Sequence, residues 1–326
     1  MTLYELYHLY AKHPIVKQSI EYAKQSKRMT VGGLQGSSLS LFLACAYEKL
    51  SSTIVYVSED KDSAAYVYND LVQMLGMDEV LFFPSAYSRT IGLGKANLSN
   101  EVLRTDTLGR LSSSRRVIVV TYPEALVEKV IAQKTLAEKS ILIREGEEWE
   151  QELLIEQFVS MGFERVDFVY EPGQFSVRGS IVDVFSFSNE LPYRIDFFGN
   201  EVDTIRLFDI ETQLSESPCR EAVLSPNVQE LAMESNAISF FEFLSDNVCL
   251  AFGDLVFLRE RIKQVYDATL VARMEENVDF SGMMINGENF SEEIEKFSQM
   301  RFVVGNKADF VFSTSHALRM PSSVFT

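Results

Sequence analysis

The sequence predicts an α/β protein in which a helicase-like parallel-sheet domain carries an inserted α+β module built on an antiparallel meander. Two observations predict the parallel sheet. Apolar runs at Met29 to Gly33, Thr53 to Ser58, Glu79 to Pro84 and Arg116 to Tyr122 read as strands, and the intervals Ser38 to Leu50, Lys61 to Leu75 and Asn97 to Leu111 are long enough for helices. Strands alternating with helices build a parallel sheet covered on both faces, and continuous apolar runs suit strands buried on both sides. A third observation predicts the insertion. From about Glu124 the pattern becomes a helix (124–133), a short strand (140–144), a helix (148–162) and then strand candidates at 166–170, 173–179, 180–187, 191–199 and 200–209. Almost no linker separates them, and Gly199-Asn200 between two strands is a strong hairpin signal.

The flanking segments complete the layout. Residues 1–27 place Tyr4, Leu6, Tyr7 and Tyr10 at helical spacing and predict one or two leading helices. After residue 217 a strand in "SPCREAVLSPN" and further strands in "NVCLAF" and "RFVVGN" are expected to rejoin the first sheet. The predicted division is 1–123 for an α/β domain, 124–217 for the inserted module and 218–326 for the returning half.

Composition narrows the function classes. Three cysteines, Cys45, Cys219 and Cys249, lie far apart and exclude both a disulfide framework and a C-x-x-C metal knuckle. Three histidines give no metal-ligand spacing, so no metal and no cofactor is expected. No apolar run reaches the ~18 residues of a membrane span, and a cytoplasmic protein is expected. The net charge of −17 opposes direct nucleic-acid binding, which relies on clustered Lys and Arg. No Ser/His/Asp or Cys/His set can be drawn, so no catalytic residue is expected. Glu145, Glu147, Glu148 and Glu150 around Trp149 read as a solvated helix start.

One loop invites a nucleotide reading. Gly33-Leu34-Gln35-Gly36-Ser37-Ser38-Leu39-Ser40 follows a strand and precedes a helix, the context of a G-x-x-x-x-G-K-[ST] phosphate loop. Here Ser38 replaces the second glycine and Leu39 the lysine, so only Ser40 keeps the right kind of group. The only Asp-Glu pair, Asp78-Glu79, precedes its strand instead of ending it. The expectation is a degenerate phosphate loop without ATP hydrolysis.

In the meander, alternation puts Tyr193, Ile195 and Phe197 on one face and Arg194, Asp196 and Phe198 on the other. An exposed Phe beside Arg has the composition of an interface anchor. The residues alone also allow Arg178 or Arg194 to pair with Asp183, Asp196 or Glu201, and Phe198 to be a packing residue beside a turn.

The stretch 171–215, "EPGQFSVRGSIVDVFSFSNELPYRIDFFGNEVDTIRLFDIETQLS", resembles the inserted domain 2 of the UvrB-homology module in transcription-repair coupling factors. Gly173, Phe175, Arg178, Gly179, Asp183, Phe185, Arg194, Phe197, Phe198, Glu201, Arg206, Asp209 and Gln213 carry the match. The resemblance implies an N-terminal, non-catalytic module that binds UvrA through Arg178, Arg194 and Phe198, with Arg206 and Phe208 as further neighbours. It also implies that RNA polymerase and DNA are met through other regions of a longer protein, and that a C-terminal domain there covers the UvrA face. UvrB itself, a nucleotide-dependent repair helicase, is the alternative. This chain departs from it in the phosphate loop, and at 84–102 it has "PSAYSRTIGLGKANLSNEV", with Tyr87 the sole aromatic, where UvrB inserts a long aromatic hairpin.

Overall fold

A computed structural model describes residues 3–86, 97–113, 115–234, 237–274, 284–288, 290–305 and 307–312. Tyr87 and most of the segment around it lie outside the described residues.

The chain opens with α1 (Leu3–Ala11) and α2 (Pro14–Gln25), whose Leu6, Tyr7, Tyr10, Val16 and Ile20 are buried against the first domain. Strand and helix then alternate: β1 (Arg28–Gly32), α3 (Ser38–Lys49), β2 (Thr53–Val57), α4 (Lys61–Leu75), β3 (Val80–Phe83), α5 (Leu98–Ser112) and β4 (Ile118–Thr121). Every residue of β2 and β4 is buried, as a sheet covered on both faces requires. Helix starts follow local chemistry: Asp60 accepts from the Ser63 N–H at 2.7 Å and Asn97 from the Asn100 N–H at 3.3 Å. Gly76, at φ +90°, ends α4.

The expected helix over 124–133 is shorter. Pro123 starts α6 (Pro123–Val127), and the chain then runs extended, bridging Glu128 to Met284 and Val130 to Ile238. Val130 and Ile131 favour this extended course, and both are buried. Next come α7 (Gln133–Lys139), β5 (Ile141–Arg144) and α8 (Gln151–Ser160), followed by β6 (Glu164–Arg165), β7 (Gln174–Arg178), β8 (Ile181–Val184), β9 (Tyr193–Phe198), β10 (Glu201–Phe208), β11 (Ser215–Cys219) and β12 (Glu221–Leu224). The returning part contains α9 (Val228–Glu234), α10 (Phe240–Phe243), β13 (Val248–Phe252), α11 (Leu255–Met274), α12 (Phe290–Glu293), β14 (Ser298–Val303) and β15 (Phe310–Val311).

Two main sheets result. The first has order β15-β1-β14-β13-β2-β4-β3 and is parallel throughout, so the strands after residue 247 join the sheet begun by β1. The second has order β11-β10-β9-β8-β7-β6 and is antiparallel except for the short β6–β7 pair. The expected junction at 217/218 falls inside β11, because the register pairs Ile205 with Cys219 and Leu207 with Ser217. A two-stranded sheet, β12-β5, closes the module's neck. There the buried Glu101 of α5 accepts from Asn227 Nδ2 at 2.9 Å. No helix among the described residues is long and apolar enough to cross a membrane.

Candidate functional site

Each face of the second sheet follows from strand alternation. Phe175, Val182, Val184, Tyr193, Ile195, Phe197, Val202 and Ile205 turn inward onto α8 residues Leu154 and Phe158 and form the module's core. The opposite face carries a polar row across four strands: Ser176 pairs with Asp183, Asp183 with Arg194, and Arg194 with Arg206. On the same face, further along β9 from Arg194, stands Phe198, 82% exposed and the last residue of that strand. Gly199 at φ +64° and Asn200 make the predicted two-residue turn beside it.

The acidic segment around Trp149 braces that turn instead of starting the helix, which begins at Gln151. Gly146 N–H donates to the Val202 carbonyl at 2.8 Å, Val202 N–H to Glu147 O at 2.9 Å and Trp149 N–H to Asn200 O at 2.7 Å. Glu147 receives the Trp149 indole N–H at 3.2 Å, which holds its carboxyl below the usual range. The turn next to Phe198 and the start of β10 are therefore tied to this segment.

The arginines are not equivalent. Arg194 donates from Nε to Asp183 Oδ1 at 2.7 Å and from Nη2 to Oδ2 at 2.9 Å, and its Nη1 donates to the Gln213 carbonyl at 3.0 Å. Its guanidinium lies 4.4 Å from the centre of the Phe208 ring, and the side chain is 13% exposed. The Asp183 hydrogen bonds raise its pKa further, so it is permanently charged. Arg178 reaches the same Asp183 through Nη2 alone, is 37% exposed and lies 5.2 Å from the centre of the Phe168 ring. Arg206 pairs with Asp196 at 2.9 Å. Pairing with Asp183 and Asp196, one of the two readings the residues allowed, thus exists alongside surface exposure.

Phe208 is a correction. It is fully buried with Val169 and Phe185, so it backs Arg194 and does not reach the surface. The second correction is 166–170, expected as a strand. After β6 the chain leaves the sheet and lies over the polar row, with Ser176 Oγ donating to the Asp167 carbonyl at 2.8 Å and Gln213 Nε2 to Val169 O at 3.3 Å. This crossing leaves Phe168 and Tyr170 about half exposed, with Phe168 beside Arg178. The sequence reading missed both, because it assigned the segment to the sheet.

The loop at residues 33–40 lies in the other domain. Gly33 sits at φ +80° and a Cβ there would meet the Phe312 carbonyl at 1.8 Å, so the glycine serves a close chain crossing. Ser38 Oγ contacts Gln35 N and O at 2.7 Å each, Leu39 packs on the core, and Ser40 is buried. A Cβ at Gly36, at φ +54°, would meet nothing within 4 Å. Burial pushes the thiols of Cys45 and Cys249 up to about 12, in keeping with inert reduced cysteines. Among the described residues no group of three or more His, Cys, Asp or Glu could hold a metal.

A braced sheet face with two arginines on one carboxylate and an exposed phenylalanine has the make-up of a protein-interaction module. Residues 141–229 match the model of the UvrB interaction domain family. It is similar to the transcription-repair-coupling factor of Bacillus subtilis (strain 168), 30% identical over 64% of this chain and 18% of that protein. The counterpart in Escherichia coli (strain K12) is 24% identical over 67% of this chain and 19% of its own length. The UvrABC system protein B of Chlorobium phaeobacteroides (strain BS1) is 27% identical over 55% of this chain and 28% of that protein. The resemblance read from residues 171–215 is thereby shown, while the matches span about a fifth of the coupling factors' length.

Proposed function

We propose that this chain is the UvrA-docking module of a transcription-repair coupling factor, and that within the longer protein it recruits nucleotide excision repair to stalled RNA polymerase. The observation that carries the reading is the outer face of the second sheet, where Phe198 stands 82% exposed on a braced hairpin and Arg178 is held on Asp183. An exposed aromatic anchor is worth about 2 kcal/mol or more when a partner buries it, and a guanidinium is suited to a partner carboxylate. We take residues 124–217 as the docking unit, with RNA polymerase, DNA and the masking C-terminal domain belonging to other parts of the longer protein.

The rival is a nucleotide-dependent repair ATPase. The degenerate-loop reading is supported against it by Leu39, an apolar side chain on the core where the lysine would stand. The Ser38 and Leu39 N–H groups already donate to the Gln35 and Gly36 carbonyls, both at 3.2 Å, where a phosphate cradle needs them free. Glu79 precedes β3 and is engaged by Tyr47 and by Arg115.

Calorimetry of this chain against UvrA tests the proposal. Saturable binding that weakens at least tenfold in Phe198→Ala and in Arg178→Ala, with no heat when ATP is titrated into the chain alone, is the expected result. Saturable ATP binding without UvrA binding would overturn it in favour of the rival.

A further inference from the structure

The two arginines on Asp183 invite a sharper question than whether the face docks: which of them is free to leave. Asp183 is 1% exposed, and a carboxylate so deeply placed cannot stand without a paired cation. Arg194 alone meets that need. Its Nε and Nη2 fork covers both carboxylate oxygens, at 2.7 and 2.9 Å, in the planar two-point geometry that only arginine offers. The rest of the guanidinium is also committed, with the Phe208 ring against its face and the Gln213 carbonyl on Nη1. Gln213 is fixed in turn: it is a non-glycine residue at φ +58°, and its side-chain amide donates to Ile210 O at 2.8 Å and Val169 O at 3.3 Å.

Arg178 is attached differently. A single nitrogen touches Asp183, on the oxygen that Arg194 Nη2 already serves. Its other contact is the ring of Phe168, itself 48% exposed. Lifting Arg178 away leaves Asp183 paired; lifting Arg194 away does not.

We propose that Arg194 is a positioning residue that neutralises Asp183 from within, and that Arg178 is thereby left releasable for capture by a carboxylate on the docking partner. This rests on the docking reading above. Arg194 then supports binding without being the group that meets the partner carboxylate. In its absence Asp183 holds Arg178 as its one remaining cation, so a single truncation removes two arginines from the face.

The test is a set of calorimetric titrations of this chain into UvrA: wild type, Arg178→Ala, Arg194→Ala, Arg194→Lys, Asp183→Asn/Arg194→Ala and Arg178→Ala/Arg194→Ala. Circular dichroism confirms the fold of each. Arg194→Ala should weaken binding at least tenfold, and adding Arg178→Ala to it should change little. Adding Asp183→Asn to Arg194→Ala should recover at least half of the lost binding free energy, because Arg178 no longer has a buried charge to hold. Arg194→Lys, which keeps a cation on Asp183 and loses the fork, should recover binding in the same way and covers the case in which the double variant does not fold. Additive losses for the two arginines, with no recovery in Asp183→Asn/Arg194→Ala or in Arg194→Lys, would overturn the inference while leaving the docking reading in place. Failure of the wild type to bind UvrA would remove both.

Discussion

Phe198 and Phe208 end adjacent strands of one hairpin, and their side chains meet opposite fates. Phe198 is 82% exposed and Phe208 is fully buried. Truncating Phe198 should therefore leave stability within about 0.5 kcal/mol of wild type. Phe208→Ala should cost about 3–5 kcal/mol, because it empties the space under Arg194 and between Val169 and Phe185. Urea unfolding of the two variants checks both expectations, and similar losses in both would contradict the burial difference. The exposure of Phe198 was legible because a strand alternates with period two, and its neighbours Phe197 and Ile195 claim the core. Burial of Phe208 was not legible. It depends on the segments 166–169 and 209–213 folding back over the sheet, a tertiary event that no local pattern announces. The shared Asp183 was visible as one option among several, but which arginine holds it with two nitrogens is decided by side-chain geometry alone.

Among the elements, the β1–α3 loop and α5 make separate claims. Gly33→Ala forces a Cβ onto the Phe312 carbonyl and should destabilise by at least about 2 kcal/mol, whereas Gly36→Ala, with nothing within 4 Å, should cost only about 1 kcal/mol for its positive φ. Equal costs in thermal melts would mean that the crossing at Phe312 carries little of the loop's stability. On α5, burial raises the Glu101 pKa, with Glu230 adding to the effect and Asn227 opposing it. A carboxyl whose folded pKa lies above its unfolded one contributes stability below the unfolded value and loses it as pH rises through the folded value. Glu101→Gln keeps an acceptor for Asn227 and removes that loss, so its stability relative to wild type should grow as pH rises above the usual carboxylate range. Urea midpoints across that range test the sign. Most strands and helices of this domain were legible from apolar runs and caps, including α4 with both of its ends. The helix after β4 was over-extended because its bridges to Ile238 and Met284 come from segments distant in sequence.

On the scale of the molecule, the second sheet draws all six strands from residues 164–219, and the first draws none from that interval. A fragment of residues 141–229 should therefore fold alone and keep most of the UvrA affinity of the whole chain. Loss of its circular-dichroism signature or of its binding would show that the neck at Glu101 and Asn227 is needed to hold the docking face. The change of sequence pattern near residue 124 announced the antiparallel strands, but Val127, Val130, Ile131 and Leu136 still pack into the core of the first sheet. The point of return was less legible, because β11 and β12 follow each other with one residue between them yet belong to different sheets.

The position of β1 has a consequence for how the chain comes off the ribosome. Among the described strands β1 pairs with β14 and β15, with Arg28 opposite Gln299 and Val31 opposite Phe310, and two strands separate it from β2. At roughly 5–20 residues per second, synthesis leaves this apolar strand without its neighbours for on the order of 15–50 s. The second sheet can be complete within that interval, so the proposed docking module matures before the scaffold that carries it. A nascent chain halted before residue 298 would thus present a folded second sheet on an unfinished first sheet with an open edge, the species from which aggregation during expression would start.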